Sequence, residues 1–119
     1  MGFLLRRLAL AGLLALVLVE VSEAATLVMV DWRACPHCQR FHREIGNNYA
    51  NTSLGRIAPL RKVSVFKKWP SDLRAIAPVR TTPIFILVDN NGREVGRIRG
   101  YGGRDHFLAR LNSLVARLK

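Results

Sequence analysis

The sequence contains only two cysteines, and it lacks the accompanying residues that several kinds of cofactor site require. Covalent haem attachment needs a histidine directly after a Cys-x-x-Cys pair, and Gln39 stands at that position. Four ligands that could close a structural zinc site are not available either. The chain also has no internal repeat, no low-complexity segment and no nucleic-acid recognition motif. We therefore expect one ordinary domain with no cofactor and no resident metal.

No apolar run reaches the ~20 residues that a transmembrane helix needs. The run Leu8–Val19 spans twelve residues, follows the basic pair Arg6-Arg7 and precedes the small-residue triplet Ser22–Ala24. This order is typical of a cleavable export signal. We predict that residues 1–24 form a signal peptide and that residues 25–119 form one domain in the periplasm. An uncleaved, membrane-anchored form is the alternative.

Acidic side chains are scarce, which gives the predicted mature chain a strong positive charge. Residues 25–119 contain seventeen Lys and Arg against six Asp and Glu, a net charge of +11. We do not expect nucleic-acid binding, because the chain carries an export signal and its arginines are scattered singly. An acidic protein partner or an anionic membrane surface fits the charge better. A solvated cationic surface without a specific partner stays open as well.

Both cysteines lie in one short stretch, Cys35-Pro36-His37-Cys38. It follows a strand-like run, Thr26–Val30, and opens a helix-like run in which Phe41, Ile45 and Tyr49 recur every four residues. Free N–H groups and the helix dipole at a helix N-terminus stabilise a thiolate, so we expect the pKa of the Cys35 thiol to lie well below its usual value. Cys38 lies one turn further in, close enough to close a small disulfide ring.

The residues between the cysteines are compatible with this arrangement. Pro36 fits the first helical turn, where its missing N–H is not needed. His37 lies inside the ring, where a nearby donor or cation would lower the pKa of Cys35 further. A purely structural bridge is the alternative, but so small a ring removes little chain entropy. We predict a redox-active dithiol, with Cys35 as the exposed nucleophile and Cys38 as the resolving thiol.

The remaining patterns predict an α/β fold of the order β-α-β-α-β-β-α, with a four-stranded mixed sheet and helices on both faces. Asn47-Asn48 and Asn51–Ser53, with Gly55, mark where the first helix is expected to fray into a loop. A bulge is expected near Gly96, because the inward candidates Val95 and Ile98 are spaced three apart. The last helix carries an apolar stripe of Phe107, Leu108, Leu111, Leu114, Val115 and Leu118. The predicted elements are the strands Thr26–Trp32, Leu60–Phe66, Ile84–Val88 and Arg93–Arg99 and the helices Pro36–Ala50, Pro70–Ala77 and Arg104–Leu118.

This order resembles the thioredoxin superfamily in a minimal form, without the extra N-terminal strand and helix. The marks are the Cys-x-x-Cys pair after the first strand, Thr82-Pro83 before the apolar strand, and the loop Gly100–Gly103. Four further phrases are similar to the small periplasmic thioredoxins of bacterial sulfur-oxidation gene clusters, the SoxS type. These phrases are His42–Ile45, Ala58–Arg61, Pro78–Arg80 and Gly96–Tyr101.

The resemblance implies a minimal thioredoxin fold and a thiol-disulfide oxidoreductase. Such a protein would take electrons from a membrane thiol carrier and reduce a disulfide of a sulfur-carrier protein, and we expect it to be a monomer. Pro83 would be a cis proline that faces the disulfide and leaves the backbone of Thr82 free to pair with an incoming peptide. An ordinary trans proline is the alternative. Trp32, three residues before Cys35, either packs or lines the substrate groove.

One position departs from the family pattern. Thioredoxins carry a buried aspartate six residues before the first cysteine, which relays a proton to the second, and Met29 stands there in this chain. Asp31, Glu44 or water are the alternatives for that proton transfer.

Two other functions are weighed against reduction. Pro36-His37 resembles the active-site pair of disulfide-introducing oxidases, so an oxidase or isomerase of exported proteins is the first alternative. Those oxidases carry a large helical insertion, and fewer than twenty residues separate Phe66 from Ile84 here. A copper-binding protein with Cys35, Cys38 and His42 as ligands is the second alternative.

Overall fold

The computed structural model describes residue 15 and residues 24–118, and its centre is a four-stranded mixed sheet. The strand order is β2-β1-β3-β4. β1 runs parallel to β2 and antiparallel to β3, and β3 is antiparallel to β4. The predicted sheet is therefore confirmed. The strands are β1 (Ala25–Asp31), β2 (Leu60–Ser64), β3 (Ile84–Asp89) and β4 (Glu94–Arg99).

The predicted signal peptide lies outside the described residues, apart from residues 15 and 24. Within the part of the chain that the structure describes, no helix combines the length and the apolar character needed to cross a membrane.

The two central strands carry unbroken apolar runs, Leu27–Val30 and Ile84–Val88, because both of their faces are covered. Leu27 and Met29 of β1 belong to the core on one side of the sheet, and Val28 and Val30 belong to the core on the other. The first core contains both cysteines and the apolar faces of the long helices. The active-site stretch is therefore packed on the same side of the sheet as Met29.

The helix after the cysteines is shorter than predicted. α1 spans Pro36–Glu44, and the chain continues as a 3₁₀ helix, Gly46–Asn51, and then as α2, Ser53–Ile57. The expectation of a loop over the second half of this region is wrong. Thr52 caps α2 by accepting the Gly55 N–H at 3.0 Å, and a Cβ on Gly55 would lie 1.9 Å from the carbonyl oxygen of Tyr49. The polar residues and the glycine therefore serve helix capping and close packing.

The predicted helix Pro70–Ala77 is reduced to one 3₁₀ turn, Ser71–Leu73. Leu73 and Ile76 are nevertheless buried in the second core. This 3₁₀ turn and the turn that follows it are sufficient to place Leu73 and Ile76 against this face of the sheet.

The hairpin and the last helix agree with the sequence. The register of β3 and β4 shifts between the pairs Leu87–Gly96 and Val88–Glu94, which leaves Val95 as the extra residue of a bulge. α3 spans Arg104–Val115 and ends three residues before the predicted end. Three residues of the predicted stripe are buried in the core: Phe107, Leu111 and Leu114. The other three are partly buried and pack against it: Leu108, Val115 and Leu118.

Aromatic packing fixes α1 against the sheet and against α3. The ring centroid of Phe41 lies 4.7 Å from that of Phe85 on β3 and 5.1 Å from that of Phe107 on α3. All three side chains are completely buried. Such tilted and edge-on pairs stabilise beyond their buried area, so the helix that carries the cysteines has a defined position.

Candidate active site

Cys35 and Cys38 form a disulfide at the N-terminus of α1. Cys35 is the N-cap residue, and its Sγ accepts the Cys38 backbone N–H at 3.2 Å. Pro36 occupies the first helical position, where a missing N–H leaves no acceptor unsatisfied. The sulfur of Cys35 is thus held where the helix dipole and free N–H groups favour a negative charge.

The two cysteines differ less in exposure than we expected. Cys35 is 4% exposed and Cys38 is 1% exposed, so both are buried in the disulfide form. Pro36 and His37 are exposed. The expected exposed Cys35 is therefore wrong for the oxidised protein.

The Thr82–Pro83 peptide bond is cis, as the resemblance implies. Pro83 is buried, and its carbonyl oxygen accepts the N–H of Gly100 at 2.9 Å. Tyr101, in the same loop, donates from its hydroxyl group to a carboxylate oxygen of Glu44 at 3.0 Å. The pKa of Tyr101 is raised to about 12, mainly because the hydroxyl group is buried and secondly because of this hydrogen bond. The loop is therefore tied both to the proline and to α1.

A cavity of about 830 Å³ opens beside Cys38. Asp31, His42 and Lys62 contribute to its lining together with Cys38. Asp31 follows Met29 by two residues on β1, so it lies on the sheet face that packs against α1. Its Oδ2 atom lies 3.2 Å from Nε2 of His42, and the two side chains are 18% and 26% exposed. Asp31 and Cys38 thus border the same space.

His42 is a residue that the sequence patterns did not single out for this site. They gave it only as a metal-ligand alternative, whereas here it pairs with Asp31. Its position four residues after Cys38 places it on the same face of α1, and that spacing is the signal that could have indicated it. Glu44 is engaged elsewhere, since it accepts from Arg40 at 3.0 Å and from Tyr101. Glu44 does not border the cavity beside Cys38.

A second cavity, of about 450 Å³, lies next to Thr82. It shares Trp32, Ser64, Phe66 and Lys67 with the first cavity. Phe66 is 74% exposed, although we expected it within a strand, and Trp32 is 39% exposed. Their ring centroids are 5.0 Å apart in an edge-on arrangement. Trp32 therefore lies beside the site rather than in the core, and Phe66 joins it.

The described residues include no group of three or more His, Cys, Asp or Glu side chains that could hold a metal ion. Of the ligands considered for copper, the two cysteines are joined to each other and His42 is paired with Asp31.

Comparisons with known proteins agree on one relationship. A family model described as a thioredoxin-like domain matches residues 14–114. The crystal structure of the periplasmic thioredoxin SoxS from Paracoccus pantotrophus, in its reduced form, is 33% identical, with a TM-score of 0.73. The match covers 80% of this chain and 99% of that chain. No curated protein sequence matches the chain.

Proposed function

Because this chain belongs to the thioredoxin-like family, we propose that it is a periplasmic thiol-disulfide oxidoreductase that reduces a disulfide of a partner protein. The observation that carries the proposal is the Cys35–Cys38 disulfide at the N-terminus of α1. A sulfur at this position is a good nucleophile as a thiolate and a good leaving group from a disulfide. Both properties are required for repeated exchange.

The reaction consists of two exchanges. In the reduced protein the Cys35 thiolate attacks one sulfur of the partner disulfide, which forms a mixed disulfide and releases one partner thiolate to take up a proton. Cys38 then loses its proton and attacks Cys35, which closes the Cys35–Cys38 disulfide and releases the second partner thiol. Two electrons pass to the partner, and its two thiolates take up two protons, one released by Cys38 and one from water. An upstream membrane thiol donor returns two electrons to this protein, and the dithiol form is restored.

Asp31 receives the proton of Cys38 in this scheme, either directly or through water in the cavity. Three observations support this role: the shared lining of the cavity, the position of Asp31 on the sheet face that packs on α1, and its contact with His42. A carboxylate held by an imidazole can share the incoming proton with it. Glu44 is the weaker choice because its carboxylate already accepts two hydrogen bonds outside the cavity.

The proposed direction of electron flow, from this protein to its partner, rests on the similarity along the whole chain. The similarity to a periplasmic thioredoxin extends over 80% of the sequence, which favours a reductase that serves sulfur oxidation, with a sulfur-carrier protein as the partner. A disulfide-introducing oxidase is the second candidate, and the exposed Pro36-His37 pair favours it. Between β2 and β3, however, the chain has one 3₁₀ turn and no large helical insertion.

Equilibration of the Cys35–Cys38 pair with glutathione distinguishes the two candidates. A reductase is expected to have a potential near ~−270 mV, whereas a potential near ~−120 mV marks a strong oxidant and would contradict reduction. Location is tested separately by N-terminal sequencing of the exported protein. A mature chain that begins at Ala25 in the periplasmic fraction is expected, and an intact N-terminus in the membrane fraction would contradict cleavage.

A further inference from the structure

We propose that the surface around Trp32 and Phe66 binds an acidic segment of the partner protein that also carries an apolar side chain. The proposal deepens the proposed function and rests on it. We call the Trp32–Phe66 pair the aromatic ridge. The cations Arg33, Lys62, Lys67 and Arg80 line the two cavities that flank it.

The aromatic ridge is an exposed apolar feature made of two rings in contact with each other. Its two members are the large hydrophobic side chains that the described residues leave exposed. The backbone of each lies in a hydrogen-bonded turn: the Cys35 N–H donates to the Trp32 carbonyl at 3.2 Å, and the Phe66 N–H donates to Ser64 Oγ at 3.3 Å. Paired exposed aromatics are unusual on a surface that meets only water, and large aromatic side chains are the commonest binding anchors at protein interfaces.

The ridge lies between the two parts of the site. The cavity on one side contains Cys38, and the cavity on the other contains Thr82. Trp32 and Phe66 line both cavities, so a segment that occupies both cavities contacts the ridge. An apolar side chain of that segment can pack on the exposed face of Phe66 and be removed from water there.

The charges around the ridge decide which segment fits. The lining of the two cavities includes four Lys and Arg side chains but a single carboxylate, Asp31, which is paired with His42. None of the four cations has an ion-pair partner within residues 24–118, whereas Arg40, Arg61 and Arg97 each have one. Aspartate or glutamate in the partner would complete these pairs, and lysine or arginine would be repelled.

A protein segment is favoured over a membrane surface because the cations line concave spaces on both sides of the ridge. Cavities of about 830 and 450 Å³ can enclose side chains. A bilayer surface would instead contact protruding residues only. Binding to anionic vesicles is therefore an outcome of the test and not the expectation.

The test uses two synthetic peptides of equal length, each with one phenylalanine and one cysteine joined to glutathione by a disulfide. Aspartates flank the cysteine in one peptide, and lysines flank it in the other. We expect the reduced protein to reduce the aspartate peptide about tenfold faster at low salt. The preference should disappear between ~0.01 M and ~1 M salt, as the Debye length falls from ~30 to ~3 Å.

Substitutions test the contribution of the cations separately from the contribution of the aromatic ridge. The double change Lys67→Glu and Arg80→Glu should abolish the preference for the aspartate peptide. Arg110→Glu, an exposed position on α3, should keep it. Phe66→Ser should slow reduction of the aspartate peptide about tenfold, and Phe66→Leu, which keeps an apolar side chain, should slow it less than twofold. Urea unfolding of each variant shows whether its fold is retained.

The outcomes distinguish this proposal from the proposed function. Equal rates for the two peptides, or a preference that Arg110→Glu reduces as much as the double change does, would overturn the docking surface and leave the reductase intact. Failure to reduce either peptide would overturn both. Binding to phosphatidylglycerol vesicles that Lys67→Glu and Arg80→Glu abolish, together with equal peptide rates, would assign the surface to a membrane instead.

Discussion

Replacing Asp31 by Asn should slow the second exchange of the reaction and leave the first unchanged. Asn keeps the size of the side chain but cannot accept a proton. The cavity that Asp31 shares with Cys38 has a volume of about 830 Å³, many times the ~30 Å³ that one water occupies. Attack by Cys35 on a partner does not require Asp31, whereas attack by Cys38 requires the loss of its proton.

The size of the cavity also sets the size of the effect. General acid-base groups contribute about 10²- to 10⁴-fold to a rate. Water and buffer can enter this open cavity and substitute for the missing carboxylate, so we expect a loss at or below the lower limit of that range, about 10- to 100-fold. The loss should shrink as the pH rises past the ordinary range of a thiol, because Cys38 then ionises without help.

Single-turnover reaction of the reduced protein with an aromatic disulfide reagent measures the two exchanges separately. The first release of aromatic thiol depends on reagent concentration and reports Cys35, and the second is independent of it and reports Cys38. Imidazole buffer should partly restore the second phase in Asp31→Asn. Glu44→Gln is the matched control, since Glu44 lies outside the cavity.

Three results would refute the reasoning. The second phase could be unchanged in Asp31→Asn, both phases could slow equally, or Glu44→Gln could slow the second phase instead. The last result would assign the proton transfer to Glu44.

Three further predictions concern the cysteines and the fold. Cys38→Ser should accumulate a partner as a mixed disulfide on affinity purification and Cys35→Ser should not; equal accumulation would contradict their assigned roles. The alkylation rate of Cys35 should rise with a midpoint well below that of a free thiol, and a midpoint at the ordinary thiol value would mean that the helix terminus does not act on it. Tyr49→Phe should lower the free energy of unfolding by about 1–3 kcal/mol in urea titrations, because the buried Tyr49 hydroxyl donates to the carbonyl oxygen of Ala58 at 2.6 Å; an unchanged midpoint would contradict this.

The fold could be predicted from the sequence where local pattern and tertiary environment agree. The apolar run of β3 and the stripe of α3 are such cases, and so is the bulge at Val95, where the inward positions are three residues apart. Prediction failed between Gly46 and Ile57. There the signals of a loop and of a capped helix are the same residue types, and the role of Gly55 depends on the carbonyl of Tyr49 that packs against it.

The candidate site could also be predicted only in part from the sequence. The disulfide is local to one helical turn, so the spacing of the cysteines was sufficient to indicate it. The contact between Asp31 and His42 joins two residues that are eleven positions apart and lie on different elements, and the exposure of Phe66 depends on where β2 ends. The four-residue spacing of His42 from Cys38 indicates a shared face of α1, but the contact with Asp31 is fixed only when α1 packs on the sheet.

The strand order has a consequence for how copies of the chain behave towards one another at high concentration. β2 and β4 are the edges of the sheet, and their outer backbone groups could in principle extend it with a strand from another molecule. β2 has only five residues and includes the exposed Lys62, and β4 includes the exposed Arg99; neither has an ion-pair partner within residues 24–118. Two copies that approach edge to edge would bring cations against cations along short strands, which disfavours growth into fibrils.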